Sequence, residues 1–299
     1  MKKTLSILAL SLATTAMGAE SVPFHYDLPD SGLLPSYAEI TAVTRMGERH
    51  GGSDLSMQTY SLTVPLSDPR KSGWDDYMLN VQFDAKLTDI NTGGILDLEH
   101  DELVSVSVPV TIVRKMPTGN RLTMGMAPEI ASDSGAIDHG LELTAYGLYT
   151  VKHNESFTYT LGVAVAPRFS DYGIIPVFGF EWRPSDDWLI RMKGYRLDAL
   201  YQVSDTFCVG PFMAGHGGTW SVETPRGDRQ FRVRSLVLGI GGEYNFAEPG
   251  QTKRIITFAV GSTVATTAQF QERSAGKHEY ETHHYKPGLF ISAGLDFRF

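Results

Sequence analysis

The residues that could carry hydrolytic chemistry do not stand at the spacing that such chemistry needs. A serine nucleophile on one face of a strand requires a histidine two residues away, whose imidazole takes the hydroxyl proton. None of the nine histidines is followed by serine at that spacing. The nearest arrangement, His50-Gly51-Gly52-Ser53, stands in a glycine-rich stretch that is typical of a loop. Proteolysis by paired carboxylates would need Asp186-Asp187, but these follow Pro184-Ser185 and indicate a turn. We expect no catalytic residue and no enzymatic activity.

One group of residues has the side-chain types of a metal site. Its members are His278, Glu279, Glu281, His283 and His284. Imidazole and carboxylate bind zinc or copper, but this spacing matches no standard structural site. A solvated polar loop is the preferred interpretation, so we expect no metal and no cofactor. The single cysteine, Cys208, excludes an internal disulfide and is typical of a small apolar strand residue.

The start of the chain has the features of a secretory signal peptide. Lys2 and Lys3 precede an apolar run that ends at small residues, which predicts a signal peptide over residues 1–19. The net charge is −8 and no cluster of basic residues is present, which argues against nucleic-acid binding. After residue 19 no apolar run approaches the ~18 residues of a membrane-spanning helix.

The end of the chain shows the clearest strand pattern. Every second residue from Leu289 onward is apolar, which puts one apolar face on a pleated strand. Together with the signal peptide, this resembles bacterial outer-membrane β-barrel proteins, whose closing strand ends in Phe and is recognised by the barrel-assembly machinery. The resemblance implies an assembly signal formed by Leu295, Phe297 and Phe299. It also implies Sec export to the outer membrane and contact with its lipid and lipopolysaccharide. A soluble sandwich ending on an amphipathic strand is the alternative.

Similar alternation recurs along the chain in runs of the length that membrane strands need, about 9 to 11 residues. The pattern predicts an all-β fold: a single antiparallel transmembrane β-barrel over residues 35–299, after a periplasmic lead-in at 20–34. The predicted strands number 14, or 12 if the short ones are merged, and span 36–46, 57–66, 76–88, 102–114, 120–131, 140–151, 156–167, 172–183, 187–193, 196–203, 206–222, 230–246, 253–270 and 284–299. We expect short periplasmic turns and longer extracellular loops at Gly47 to Met57, Thr88 to Glu102 and Gln271 to His283.

A second resemblance lies in the middle of the chain. Ser170-Asp171-Tyr172, Ile174-Ile175-Pro176-Val177 and the segment from Trp182 to Trp188 resemble a recurring stretch in a family of predicted outer-membrane barrels of unknown function. Residues 198–205 continue the similarity. The resemblance implies a barrel and its location but no activity.

Charged residues in the polar phase of the strands predict what the lumen contains. The candidates for lining it are Glu181, Arg183, Arg191, Lys193, Glu243, Arg121 and Glu142. The wider inward set, with seven residues of each sign, adds Glu39, Asp84, Glu129, Asp198, Arg45, Lys86 and Arg196. Such charges either pair across the lumen and close it or surround a water-filled constriction. We therefore expect a passive channel or small-solute transporter, with a closed structural or surface-interaction barrel as the alternative.

Overall fold

The structure is a computed structural model. It describes residues 40–43, 46–48, 54–67, 77–93, 98, 100–133, 140–168, 171–225, 227, 229–246, 253–272 and 280–298. The regular secondary structure of these residues is β-strand throughout. No helix in the described ranges is long and apolar enough to cross a membrane.

The described residues form seventeen strands, which lie close to the predicted positions. They are β1 (Ile40–Val43), β2 (Met46–Glu48), β3 (Asp54–Pro65), β4 (Tyr77–Asn91), β5 (Glu102–Ser107), β6 (Val110–Lys115), β7 (Arg121–Ser132), β8 (Leu141–Lys152), β9 (Phe157–Arg168), β10 (Asp171–Ser185), β11 (Trp188–Lys193), β12 (Arg196–Ser204), β13 (Phe207–Val222), β14 (Arg229–Asn245), β15 (Lys253–Glu272), β16 (Tyr280–Tyr285) and β17 (Gly288–Arg298).

One sheet contains every strand, and it closes on itself. β1 pairs with β3 on one side, where Ala42 lies opposite Tyr60, and with β17 on the other, where Ala42 lies opposite Ala293. Neighbours around the barrel pair antiparallel, as consecutive strands joined by hairpins do. The prediction of an all-β, closed barrel is confirmed.

In three places, two consecutive strands lie end to end and pair with the same neighbouring strand. β1 and β2 both pair with β3, β5 and β6 with β7, and β16 and β17 with β15. Pro109 lies between β5 and β6, and Pro287 lies between β16 and β17. Because proline has no N–H to donate, it breaks the ladder of hydrogen bonds at these points.

Side chains alternate between the two faces of the barrel wall. On β10, Ile174, Phe178 and Trp182 are exposed on the outer face, whereas Ile175 on the other face is buried. An apolar outer face of this kind is what a bilayer requires.

At each end of the barrel the connections range from two residues to ten or more, so the predicted contrast between short turns and longer loops is not found. Residues 116–120, 153–156, 186–187 and 205–206 make short connections at one end, which we call the turn end. Asp186-Asp187 lies in one of them, as the turn interpretation predicted. At the other, the loop end, the predicted long loops are wrong in extent, because β3 already begins at Asp54, β4 continues to Asn91 and β16 starts at Tyr280. Leu55 and Ile90 pack in the barrel interior, so the strands continue into the predicted loops.

Candidate functional site

Four inward-facing charged side chains form one ion-paired group, which we call the charged cluster. Arg191 donates from Nε to Oδ2 of Asp198 at 3.2 Å and from Nη2 to Oε1 of Glu243 at 2.6 Å. Arg196 donates from Nε to the other Asp198 oxygen at 2.7 Å, and its guanidinium lies 4.8 Å from the centroid of the Phe212 ring. Two positive and two negative groups leave the cluster neutral.

A tight hairpin brings the charged cluster together. Gly194, with a φ of 54°, adopts the left-handed conformation that glycine tolerates, and it joins β11 to β12 so that Arg191 lies opposite Asp198. The Arg191 side chain then reaches Glu243 on β14. Asp198 is 1% exposed, whereas Arg191 is 12% and Glu243 24% exposed. The cluster therefore sits at the boundary between buried interior and water, where charge-assisted hydrogen bonds compensate the loss of hydration.

A second ion pair lies within β10. Arg183 donates from Nε and Nη2 to Oε1 of Glu181 at 3.2 and 3.0 Å. The strand register places Glu181 opposite Arg191, but these two residues pair with other partners. Because the Arg183 side chain is 56% exposed, solvent screens this pair and its contribution to stability is small.

The other predicted lumen residues lie away from the charged cluster or at its edge. Lys193 ends β11, with its backbone opposite Arg196. Arg121 begins β7, and Glu142 lies on β8 opposite Glu129. The structure thus brings Arg191 and Glu243 together in one group and Glu181 and Arg183 in another, and it places Arg121 and Glu142 on different strands.

The predicted assembly signal is described only in part. Leu295 lies on the outer face of β17 and is exposed. Phe297 is a residue of the same strand, opposite Arg254 of β15. Phe299 lies outside the described residues.

The predicted polar loop at the candidate metal residues is wrong for those that the structure describes. Glu281, His283 and His284 lie in β16. His283 is buried, its Nε2 lies 2.8 Å from Oε1 of Glu281, and its ring centroid is 5.9 Å from that of Phe270. Strand pairing with β15 holds these residues in place. Within the described part of the chain, no three or more His, Cys, Asp or Glu side chains form a potential metal site, and His278 and Glu279 lie outside it.

The loop-end interior is apolar. Phe231 of β14 stacks on Phe270 of β15, with centroids 4.8 Å apart and planes 4° from parallel, and on Trp220 of β13 at 6.0 Å. We call the surrounding buried group the apolar cluster; it consists of Leu55, Met57, Ile90, Leu103, Ala131, Trp220, Val222, Phe231, Val233, Ala268, Phe270 and Tyr285. Since β3–β5 and β13–β16 all contribute, the group fills the space between these two stretches of wall.

Next to the apolar cluster, two strands that are not neighbours in the wall meet. Ser132 of β7 pairs in parallel with Ser221 of β13. The Asp133 amide donates to the Ser221 carbonyl oxygen at 3.0 Å, and the Glu223 amide donates to Oδ2 of Asp133 at 2.8 Å. This contact crosses the lumen, so the strands from β7 to β13 form a closed ring of seven, in which the hairpin of β11 and β12 ends opposite Ala214, short of the level of Ser221.

The inner face of β4 carries buried polar groups with incomplete hydrogen bonding. Asn80 and Gln82 are buried, and the Asn80 Oδ1, Gln82 Nε2 and Asp84 Oδ1 atoms make no hydrogen bond within the part of the protein that is described. Asp84 does accept hydrogen bonds from Thr63 and Ser107. We call Asn80, Gln82 and Asp84 the polar strip. Each unpaired buried group costs about 1–3 kcal/mol of folding free energy, so packing this side of the barrel carries a penalty.

With the geometry described, comparison with known proteins assigns the family. The family model described as "Domain of unknown function (DUF6268)" matches residues 43–298. The chain belongs to this family. No curated protein matches the sequence.

Solved structures similar to this family member are outer-membrane barrels. The COG4313 outer membrane channel from Pseudomonas putida F1 is 9% identical with a TM-score of 0.49, covering 89% of this chain and 95% of that one. The P. putida toluene transporter TodX is 10% identical with a TM-score of 0.38, covering 91% of each chain. OccK2 (OpdF) from Pseudomonas aeruginosa is 10% identical with a TM-score of 0.29, covering 88% and 95%. At these identities and TM-scores the likeness says nothing of this chain's function. The protein is thus an all-β, closed barrel of a family of unknown function.

Two features of this family member's lumen were missed by the sequence analysis. The apolar cluster was missed because the inner phase of each strand was taken to be polar. Phe231 and Val233 in one phase, beside Leu236 and Leu238 in the other, were the available signal. The contact of Ser221 with β7 was missed as well. Its one sequence signal is Gly217-Gly218 within a strand, since glycine in a strand indicates that another backbone approaches closely.

Proposed function

We propose that this protein is a passive outer-membrane channel for small polar solutes. The observation that supports this most strongly is the charged cluster: ion-paired groups that face inward and stay partly exposed, in a barrel whose outer face is apolar. Charged side chains that line a pore select ions by their net sign. Because the cluster and the Glu181–Arg183 pair are each neutral, we expect weak selectivity between cations and anions.

The solute path that we propose follows β7–β13. The apolar cluster closes the loop-end lumen beside β3–β5, and the Ser132–Ser221 contact separates that part from the ring. The inner face of β7–β13 carries Glu181, Arg183 and Arg191, and Glu243 of β14 contacts Arg191 at its edge; Arg121, Glu142 and Lys193 complete the proposed lining.

The finer features of the barrel belong to the same proposal. Counting each split pair of segments as one gives 14 strands, an even number as bacterial single-chain barrels have. The turn end would face the periplasm, after Sec export with loss of residues 1–19 and assembly by the barrel-assembly machinery. The apolar outer face would contact outer-membrane lipid, with lipopolysaccharide at its loop-end rim.

A closed structural or surface-interaction barrel is the second candidate. It is favoured by the apolar cluster and the contact between β7 and β13, which together block part of the lumen. In that case the charged cluster would only stabilise the wall.

Planar-bilayer conductance tests the channel proposal on protein recovered from the outer membrane. The informative variant is Arg183→Glu, because the exposed side chain tolerates a reversed charge that water still solvates. We expect ion-conducting wild-type protein, and a reversal potential shifted towards cations in the variant. The matched control, Arg114→Glu on the outer phase of β6, should not shift it. Silent wild-type protein would overturn the channel proposal and favour the structural candidate.

A further inference from the structure

The wall of the β7–β13 ring has a gap on the loop-end side of the β11–β12 hairpin. β10 pairs with β11 only from Phe180 onward, and β13 pairs with β12 only up to Ala214. Nearer the loop end, residues 171–179 of β10 and 216–222 of β13 face each other across the missing hairpin. Among the described residues these two edges pair with no strand there, except where Ser221 meets β7. We call the space between them the side opening.

Exposed apolar side chains show that the side opening reaches into the lipid-facing part of the wall. On the outer face of β10, Ile174 is 73% exposed, and its partner on β9, Val165, is exposed as well. Ile174 lies six residues beyond Phe180, which is about 20 Å along an extended strand. The apolar outer face therefore continues past the end of the hairpin, and lipid reaches the unpaired edge of β10.

The sequence of the β10 edge suits a strand that has no neighbour. Unpaired backbone groups are unfavourable in hydrocarbon, where no water can bind them. Pro176 lies in the middle of this edge and has no N–H that would need a partner, which is typical of edge strands. The edge is thus adapted to remain open and does not invite another strand.

One aromatic side chain crosses the inner side of the side opening. Tyr195 stands at the tip of the hairpin, and its carbonyl oxygen accepts a hydrogen bond from the Gly215 amide of β13 at 2.9 Å. Its side chain packs against the buried group formed by Ala164, Ala166 and Ile175 on β9 and β10. Tyr195 is therefore attached to β13 by its backbone and touches the opposite side of the opening with its phenol ring.

The wall behind the phenol ring is uncharged. Residues 162–166 of β9 read Gly-Val-Ala-Val-Ala, and residues 173–179 of β10 read Gly-Ile-Ile-Pro-Val-Phe-Gly. Neither stretch contains a charged or hydrogen-bonding side chain. An apolar molecule loses no hydrogen bond on such a surface, whereas a charged one loses its hydration without compensation. The site behind the side opening therefore favours uncharged apolar molecules.

We propose that the side opening is an entrance for uncharged apolar molecules dissolved in the loop-end leaflet of the bilayer, and that Tyr195 closes it. The molecule displaces the phenol ring, binds against Ile175 and Val177, and so reaches the interior of the β7–β13 ring from the lipid. The path along these strands then has a second entrance. Onward passage to the turn end rests on the proposed channel function, whereas binding at the entrance does not.

Photolabelling of the barrel in lipid vesicles tests the entrance directly. The probe is an iodophenyl trifluoromethyl diazirine, an uncharged molecule that dissolves in the bilayer, and its adducts are located by tandem mass spectrometry. We expect adducts on Val177, which packs on the inner face, as well as on the lipid-facing Ile174. The matched control is Leu189, in the inward phase of β11, which has a neighbouring strand on each side and should carry no adduct.

Competition separates a binding site from simple contact with lipid. An excess of iodinated trifluoromethylbenzene, which lacks the diazirine, should reduce the Val177 adduct and leave the Ile174 adduct unchanged. A site of limited capacity saturates, whereas the bilayer around Ile174 does not.

Substitutions at Tyr195 test its role in closing the side opening. Tyr195→Ala removes the side chain that has to move, so the Val177 adduct should increase about tenfold. Tyr195→Phe keeps the ring and should label like the wild type, and Leu189 should stay unlabelled in both variants. If the alanine variant does not fold, Tyr195→Val also removes the ring and should give a smaller increase.

The possible results separate the entrance from the channel. Adducts confined to outward-facing residues, in the wild type and in Tyr195→Ala alike, would overturn the entrance. Equal Val177 adducts in these two proteins would overturn the closing role of Tyr195. Inward adducts on a barrel that conducts no ions would retain the entrance and refute the channel, whereas a conducting barrel labelled only on its outer face would do the reverse.

Discussion

The charged cluster and the apolar cluster occupy the same barrel interior and are built in opposite ways. In the first, Arg191, Asp198 and Glu243 are paired by charge, and Arg191 and Glu243 remain partly in contact with water. In the second, Phe231 is 0% exposed and stacks between other rings. One region tolerates solvent, whereas the other excludes it.

One strand takes part in both regions. Phe231 and Glu243 lie on β14 in the same inward phase, twelve residues and therefore about 40 Å apart along an extended chain. The period of two decides which side chains point inward but does not decide what surrounds them. Closure of the lumen is thus a property of the loop end and does not extend along whole strands.

The largest effect should follow from removing the ring at the centre of the apolar cluster. Phe231→Ala loses the transfer free energy of the ring and leaves a cavity that the surrounding strands cannot fill. We expect a loss of about 3–5 kcal/mol in the free energy of unfolding. Denaturant titration of the barrel refolded in lipid vesicles measures it.

The control for Phe231 is a side chain on the outer face. Leu161 of β9 is 50% exposed and packs against no closed interior. Leu161→Ala should cost about 1–2 kcal/mol, because only the transfer term is lost. Equal losses in the two variants would mean that the apolar cluster is no better packed than the outer surface.

A smaller loss should follow from removing the central cation of the charged cluster. Arg191→Ala leaves Glu243 without this partner and Asp198 with Arg196. Breaking a fully buried pair costs about 3–5 kcal/mol, but partial exposure and the remaining partner reduce this to about 1–3. Unfolding in the same vesicles at low and high salt tests the estimate.

The control for Arg191 is the exposed cation of the second pair. Arg183→Ala should cost less than about 1 kcal/mol, and this small loss should disappear in high salt. A loss for Arg191→Ala as small as that for Arg183→Ala would show that the charged cluster is fully solvated. The distinction between its buried and exposed members would then be lost.

The sequence was a better guide to the wall than to its interior. The alternation of apolar and other residues located β17, where Leu289 and Ile291 face outward and Phe290 faces inward. The face that a strand residue occupies follows from its own place in the sequence. Partners inside the lumen are set by the three-dimensional arrangement. Arg191 pairs with Glu243, 52 residues away, although Glu181 lies directly opposite it on the next strand.

Proline and glycine mark two places where the strands depart from a regular ladder. The predicted strand 102–114 is divided into β5 and β6 at Pro109, which cannot donate to the ladder of hydrogen bonds. The positive φ of Gly217 could not be derived, because a glycine in a strand permits a positive φ without requiring it. The contact between Ser132 and Ser221 joins strands far apart in the chain.

The smallest predicted effect has the opposite sign and tests the polar side of the packed interior. Gln82 is 3% exposed, and its Nε2 makes no hydrogen bond within the described residues. Gln82→Met keeps the shape and removes the unpaired donor, so it should stabilise the barrel by about 1 kcal/mol. On the same face of β4, Thr88 hydrogen-bonds Thr59 at 3.2 Å, so Thr88→Val should destabilise by about the same amount. Unfolding midpoints for the two variants therefore move in opposite directions if the polar strip is dry. A loss of stability in Gln82→Met would show instead that water binds the polar strip in the folded barrel, and would remove the contrast between a dry packed interior and a solvated charged one.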